Sequence, residues 1–539
     1  MAAGVLSSAR RRTHIHFNEE GGPMTDSLGL KRCSHHASRI LAASLISAFI
    51  LLESLCAPSL NAQAASVAAV TGLPGVDSLA ATEFAKDSLG SITIGVISGS
   101  QLAWTHSYGF GDMKSHRLAT RSTVYRIGSI TKPFTAVMLM QLVEAGKVNL
   151  SDPVEKYLPE VKQIGSKPTG APPFTFLQLA TMTAGLAREP RLAEGSFLTG
   201  QVADWDKILI SALPHTDYIS FPGTEFSYSN IGYAILGAAL TRAAGVPYTE
   251  WERTRVLTPL GMTRTRFEID SGIAADLATG YEVKRDGSLD DQPAATDARD
   301  GRGYKVPNGA IFTTVDDLSR FVAFELGNGP ATVLPTARLD AAFDGFVASS
   351  ADLSEGYGLG FMAMRRDKFT WRGHNGAVAG YVASMYFDRQ TQLGVVLFRN
   401  VAGGKEQPDR LAIDILERLV NARHADWAAA MARRIKDQTP APGSEATMRR
   451  IVEELRVGNP NYDLYASGIA KVTRQQLPQL QSTIVGLGAL QSLVFKGVGP
   501  DEADIYQLKF EKGSLEWRIW LNADGSKLLG AGVRPVTSP

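Results

Sequence analysis

The chain has 539 residues, 44% of them hydrophobic and 20% charged, with 55 Lys plus Arg against 54 Asp plus Glu for a net charge of +1. This is an ordinary globular composition, long enough for two or three domains with substantial cores. The near balance of charge removes any electrostatic case for binding nucleic acid or an anionic membrane surface.

The amino-terminal part reads as a targeting signal. Lys31, Arg32 and Arg39 precede the apolar run Ile40 to Leu52, and Ala62-Gln63-Ala64 fits a small-residue cleavage site. The run is short for a membrane span and Glu53 interrupts it, so residues 1–64 are expected to be a signal peptide cleaved after Ala64, with an uncleaved anchor as the alternative. Met24 would open a signal peptide of normal length, making residues 1–23 an over-extended start. Both cysteines, Cys33 and Cys56, lie in this segment, so no disulfide or thiol chemistry is expected of the mature chain. The residue before Cys56 is Leu55, where a lipoprotein signal needs a small side chain. The expected location is periplasmic or secreted.

In chain order, Ser91 to Ser98 and Gln101 to Tyr108 read as two strands joined at Gly99-Ser100, a hairpin signal. The stretch Tyr125 to Phe134 then opens a long apolar helix that runs to Ala145, with Gly146 placed to end it. Pro133 lacks an N–H and is tolerated only near a first turn, so this helix must start at about Gly128 to Ile130. Thr175 reads as the N-cap of a helix over Phe176 to Thr183, Asn230 as the N-cap of one over Ile231 to Ala244, and Thr314 with Asp317 as a capping box. From Lys368 the period becomes that of strands, with Phe369 to Asn375, Tyr381 to Phe387 and Leu393 to Arg399 short and separated by turn residues. Together with the early hairpin they predict one antiparallel sheet built from both ends of the region. The middle, about 150–340, becomes a helical lobe. Beyond the Pro- and Gly-containing linker at 439–444, a helical stripe (Met448, Ile451, Val452, Leu455) precedes strands alternating at Tyr506/Leu508/Phe510 and Leu515/Trp517/Ile519/Leu521. Pro478 sits awkwardly within a helical pattern there.

Chemistry is suggested first by Ser129-x-x-Lys132. In the first turn of a helix i and i+3 share a face, so the hydroxyl and the amine can touch. A partly desolvated lysine can take the proton of an otherwise poor alcohol nucleophile. The Ser129 amide, unpaired in that first turn, is free to face a developing oxyanion. By composition a Ser-x-x-Lys coincidence is common, but Ser129 is the only serine here with lysine three residues on, and Tyr228 is the only tyrosine with asparagine two residues on.

With Ser129-x-x-Lys132, Tyr228-x-Asn230 and His374-Asn375-Gly376 in order, the chain resembles the serine hydrolases of the class C β-lactamase, DD-peptidase and family VIII esterase group over about residues 75–425. Phe221-Pro222-Gly223 and Pro259-Leu260-Gly261-Met262 add to the match. The resemblance implies an α+β fold of the β-lactamase/transpeptidase type, an antiparallel sheet flanked by helices plus an all-helical lobe, over 65–425. A linker over 426–445 and a small α+β module over 446–539, similar to the NTF2-like domains appended to some members of this group, would follow.

It further implies that Ser129 is the nucleophile of an acyl-enzyme and that Lys132 and Tyr228 share the base role through a phenolate-like Tyr228. Asn230 would bond Lys132 or substrate, and the amides of Ser129 and Ala377, beside Gly376, would form the oxyanion hole. The third motif departs from the Lys-Thr-Gly of penicillin-binding members: His374, mostly neutral at pH 7 at an ordinary pKa near ~6.5, weakens the case for efficient β-lactam hydrolysis. The expected activity is therefore cleavage of an ester or amide, esterase-like or D-amino-acid-peptidase-like. The alternatives are a DD-carboxypeptidase or weak β-lactamase, and a non-turnover penicillin or peptidoglycan sensor. The expected partner is a small ester, amide or peptide, with the membrane involved only if the signal segment is uncleaved. No Gly-x-Ser-x-Gly elbow occurs, and His106, His116, His215 and His424 lack ligand spacing, so neither a metal nor any other cofactor is expected. Trp371 and Tyr381, beside the third motif, are expected to pack in the core rather than line a pocket.

Overall fold

A computed structural model describes residues 70–536 apart from 192–196, 293–301, 344–346, 351–353, 367–368, 523–524 and 526. The expected signal segment lies outside the described residues.

The strands Ser91–Ser98 and Gln101–Asp112 form the predicted hairpin, and their far-sequence partners are Phe369–Val378, Tyr381–Asp388 and Leu393–Arg399. The nine-stranded sheet runs Arg117–Leu118, Gln101–Asp112, Ser91–Ser98, Leu393–Arg399, Tyr381–Asp388, Phe369–Val378, Met362–Arg366, Glu355–Tyr357 and Val347–Ala348. Ser91–Ser98 pairs antiparallel with Leu393–Arg399, so the two ends of the catalytic region close the middle of the sheet. Alternation along the strands splits their side chains between two cores. Ile92, Ile94, Val395 and Leu397 pack under the helices Pro74–Phe84 and Pro408–Asp437, while Val396, Phe398, Ala383 and Met385 face the helical lobe. Ile97, one residue past Val96, faces the helical-lobe core by the same alternation. Trp371 and Tyr381 are buried core residues, as expected.

The helix Thr131–Glu144, which carries Lys132, follows a 3-10 turn at Gly128–Ile130 and is buried along nearly its whole length, so it is buried on every side rather than amphipathic. Its Phe134 ring stacks on Phe321 with centroids 3.8 Å apart. Thr175 caps Phe176–Ala180 in a full capping box with Gln178, a shorter helix than expected. Thr314 caps Val315–Ala323, but the Asp317 carboxylate turns away to the Arg264 amide at 2.7 Å and the Thr265 hydroxyl at 2.9 Å.

Two expectations are corrected. The cap of the helix Asn230–Ala244 is Ser229, whose hydroxyl accepts from the Gly232 amide, and Asn230 is the first helical residue. The linker expected over 426–445 is largely helical: Pro408–Asp437 runs through its first part and stops where Gln438 turns left-handed (φ 50°). Helical carbonyls continue to find amide partners until that residue, and Thr439 to Pro442 cannot continue the ladder. The chain then forms helices Ser444–Val457 and Ser467–Leu487, the latter containing Pro478, and a four-stranded antiparallel meander from Leu490 to Pro535. The alternating residues Tyr506, Leu508, Phe510, Leu515, Trp517 and Ile519 are the buried face of this sheet. The module is keyed to the end of the long helix by Arg434, which donates to Asp504 Oδ1 at 2.6 Å, while Asp504 Oδ2 accepts from the Ala441 amide at 2.9 Å.

Asn400, fully buried after the last core strand, ties the sheet to the helical lobe. Its Oδ1 accepts from the Ser91 amide at 2.6 Å and its Nδ2 donates to Thr279 O at 2.8 Å and Gly111 O at 3.1 Å. Asn400→Leu is expected to destabilise the protein by about 3 kcal/mol or more, because it strands a buried donor and several carbonyls. Denaturant unfolding of the variant beside wild type checks this.

Candidate active site

Three separate pieces of chain converge on the start of the helix Thr131–Glu144. The first is the turn itself, where Gly128 takes φ 49° and so lets the chain enter the helix from the strand Tyr125–Arg126. The second is the segment after Ser227. The loop after Gly185 docks on the first turn of the helix Asn230–Ala244, Arg188 O accepting from the Asn230 amide at 2.9 Å and the Ala187 carbonyl from the Ser229 hydroxyl at 2.8 Å. The backbone amides of Asn230 and Ile231 have no acceptor within the helix, and Arg188 O takes both, at 2.9 and 3.3 Å. The third is 303–309, held against the helix Thr131–Glu144 by Thr135, whose hydroxyl donates to Pro307 O at 2.5 Å.

Lys132 is the meeting point. It is fully buried, with Nζ 3.0 Å from Ser129 Oγ, 2.8 Å from Asn230 Oδ1 and 3.2 Å from Asn308 O. The rings of Tyr228 and Tyr233 flank it at 4.8 and 5.8 Å. Among the described residues no carboxylate touches it directly. Burial therefore holds its pKa well below the ordinary lysine range, Glu189 pulls it back up, and Lys305 and Arg188 push it down further.

The Tyr228 ring lies between two cations, Lys132 Nζ at 4.8 Å and the Arg188 guanidinium at 4.9 Å from its ring centre. Burial pushes the phenol up to about 12, against smaller lowering from Ser129 and Arg188. The expected phenolate-like Tyr228 is therefore not what this environment favours: desolvation of an oxyanion outweighs the nearby cations, and the neighbouring lysine is itself held toward neutrality.

The edge of the sheet arrives at Gly376. A Cβ there would lie 1.9 Å from Ile127 O and 2.9 Å from the Ser129 nitrogen, and one on Gly128 would lie 3.0 Å from the Ala377 nitrogen. Two facing glycines thus let the strand Phe369–Val378 press on the turn at Ser129, bringing the Ser129 and Ala377 amides to the same place.

His374 differs from expectation. It is fully buried, with Nδ1 bonded to Asn375 O at 2.5 Å and Nε2 to the Tyr357 hydroxyl at 2.9 Å. A carbonyl can only accept, so Nδ1 carries the proton and Nε2 accepts from Tyr357. Neither nitrogen is left for a substrate. Burial first, then Lys132, push its pKa down to about 3. Asn375 points the other way, donating to Asp409 Oδ2 at 2.5 Å.

The structure thus gathers Ser129, Lys132, Tyr228, Asn230, Gly376 and Ala377, with His374 behind them. It adds Asn308, Tyr357, Glu189 and Lys305, which the sequence did not single out. Glu189 Oε1 accepts from Asn230 Nδ2 at 2.7 Å and from Lys305 Nζ at 3.0 Å. Nothing local marks Glu189 in a polar loop. Only the short Val306–Gly309 turn, rich in Pro, Asn and Gly, hinted at a constrained segment near Asn308.

Comparison with known proteins follows the same outline. A family model described as Beta-lactamase matches residues 76–419. Beta-lactamase-like protein 4 of Dictyostelium discoideum is 28% identical over 341 residues, 59% of this chain and 58% of that protein, so the match spans little more than half of the relative's length. Protein flp of Staphylococcus aureus (strain MRSA252) is 22% identical over 370 residues, 67% of this chain and 69% of that one. Among solved structures, a class C beta-lactamase aligns with TM-score 0.54 at 18% identity, covering 66% of this chain and 98% of its own. The octameric penicillin-binding protein homologue from Pyrococcus abyssi aligns with TM-score 0.53 at 19% identity, covering 86% of this chain and 90% of its own. At these identities the structural likeness speaks for the fold.

Two outcomes are expected. His374 stays neutral in the fold while the unfolded imidazole, near ~6.5, takes a proton, so its contribution to stability falls as pH drops from about 6.5 toward 3. Tm measured between pH 8 and 4 should therefore decline less steeply in His374→Gln than in wild type. Gly376→Ala, whose methyl must displace the turn at Ser129, should lower turnover of any substrate about a hundredfold or more; kinetics at matched folded fraction, followed by circular dichroism, would reveal it.

Proposed function

The chain belongs to the Beta-lactamase family, and we propose that it is a serine hydrolase cleaving an ester or amide through an acyl-enzyme on Ser129. The observation that carries this reading is the coordination of Lys132. A neutral amine has two N–H groups and one lone pair. Asn230 Oδ1 and Asn308 O are acceptors only and take two N–H groups, so the third direction of Nζ points at Ser129 Oγ, 3.0 Å away: the ammonium donates to that oxygen, and the neutral amine turns its lone pair to the serine proton.

In this mechanism the Ser129 oxygen attacks the substrate carbonyl as its proton passes to Lys132 Nζ. The oxyanion is held by the amides of Ser129 and Ala377. Collapse expels the alcohol or amine, which takes the Tyr228 phenolic proton, and the Lys132 ammonium reprotonates Tyr228. Water then repeats the sequence on the acyl-enzyme. The raised pKa of Tyr228 suits a proton donor to the leaving group better than a resting base.

The substrate reading, a simple ester or D-amino-acid amide rather than a penicillin, rests on His374. It is neutral and engaged where penicillin-binding relatives carry a lysine that holds the substrate carboxylate. Export to the periplasm or beyond rests on the leader 31–64, and an NTF2-like relationship for 446–539 on its helices packed over one sheet face.

The test is a panel of short p-nitrophenyl esters, a chromogenic cephalosporin and a D-alanyl-D-alanine peptide, with intact-mass detection of a fluorophosphonate adduct. Ester turnover and a Ser129 adduct are expected, both lost in Ser129→Ala; full activity in that variant would sink the nucleophile. Burst kinetics without steady turnover would instead point to a sensor. Lys132→Arg puts a permanent cation in place of an amine with a usable lone pair, so kcat/KM should fall about 10²- to 10⁴-fold. Near-wild-type activity would return the base role to Tyr228.

A further inference from the structure

The neutral lysine raises a question that the three motifs leave open. Asn230 carries both an acceptor and a donor on one amide, and an unprotonated Lys132 could accept from the donor as readily as it donates to the acceptor. If the Asn230 amide flipped, Nδ2 would donate to the Lys132 lone pair and take it away from Ser129. Something must therefore hold the amide with Oδ1 toward Lys132.

We propose that Glu189, clamped by Lys305, is the positioning residue that fixes the Asn230 amide and so keeps the Lys132 lone pair on Ser129. Glu189 Oε1 lies 2.7 Å from Asn230 Nδ2, and a carboxylate only accepts. In the flipped orientation the amide oxygen would face that carboxylate, a repulsive contact between two acceptors. Lys305 Nζ, 3.0 Å from the same oxygen, holds the carboxylate in place. Glu189 Oε2 is buried and has no partner among the described residues, so both donors converge on one oxygen and define its position.

The backbone supports the arrangement. Arg188 O accepts from the backbone N–H of Asn230, so Glu189 is fixed one residue beyond a direct tether to the helix it serves. Asn308 Nδ2 donates to Asn230 O at 2.8 Å, which ties the segment carrying Lys305 to the same residue.

The proposal rests on the serine-hydrolase reading with Lys132 as the base, and it predicts opposite electrical effects from the two clamp residues. Among the described residues, the charged or titratable groups facing Lys132 are Glu189 and Arg188 from the loop, Lys305 from the following segment, Tyr228, Tyr233 of the helix and His374 of the strand. Glu189 is the one anion among them. Glu189→Gln removes its charge, so Lys132 holds its proton less tightly and the acid limb of kcat/KM moves to lower pH. Lys305→Met removes a cation, and the same limb moves to higher pH. Glu189→Gln can still accept from Asn230 Nδ2 through its amide oxygen, whereas Glu189→Ala cannot.

The experiment measures p-nitrophenyl butyrate hydrolysis from pH 5 to 10 for wild type and the three variants, with fluorophosphonate labelling of Ser129 and thermal unfolding alongside. Expected are a kcat loss of about tenfold or more in Glu189→Ala with KM within about twofold, and a kcat within about threefold of wild type in Glu189→Gln. The acid limbs of Glu189→Gln and Lys305→Met should move in opposite directions.

Wild-type kcat in Glu189→Ala, equal losses in the alanine and glutamine variants, or limbs that move the same way would overturn the proposal. If Glu189→Ala does not fold, the two charge variants decide by the direction of their limbs. Wild-type protein that neither hydrolyses the ester nor labels at Ser129 would overturn the hydrolase reading, and this inference with it. Labelled and active wild type with unshifted variants would overturn this inference alone.

Discussion

One buried amine, touched by no carboxylate among the described residues, organises the candidate site. Lys132 is fully buried, and its polar neighbours are two carbonyl-type acceptors, a hydroxyl and aromatic faces rather than a carboxylate. Such surroundings hold its pKa well below the ordinary lysine range, because desolvation of a buried charge outweighs what the more distant Glu189 returns. The cost of burying a polar group is offset only if every N–H has an acceptor. That requirement links the nucleophile helix to Asn230 on one side and Asn308 on the other.

The same logic accounts for the way the lobes meet. Helix first turns present amides with no internal partner, and here those amides are satisfied across the fold: the loop carbonyl of Arg188 covers the helix of Asn230, and the nucleophile turn leaves the Ser129 amide facing the strand at Ala377. The approach of sheet to helix is possible because Gly128 and Gly376 face each other without side chains. Rigidity comes from behind: both cores of the sheet are packed, and His374 is neutral and fully hydrogen-bonded between Asn375 O and Tyr357. A charged residue in its place would alter the field at Tyr228 and Lys132 together.

Much of the architecture was legible because it is written at short range. The strands Ser91–Ser98 and Leu393–Arg399 and the entry to the nucleophile helix at Gly128–Ile130 fell where period, glycine and proline placed them. The misreadings share one cause. Asn230 is as good a cap by type as Ser229, but its amide is already committed to Lys132 and Glu189, which leaves the cap to the serine. The residues 426–437, compositionally a linker, are helical because they continue a helix already nucleated on the sheet.

The sequence by itself determined the order of elements, the three motifs and the sheet closed from both ends of the catalytic region, since periodicity, capping chemistry and residue type are local properties. It could not decide the orientation of one amide, the burial of His374 or the charge state of Lys132. Those follow from Glu189, Lys305, Asn308 and Tyr357, residues brought from distant parts of the chain, and a protonation state is set by the dielectric and the partners that surround a group, which only the folded chain assembles.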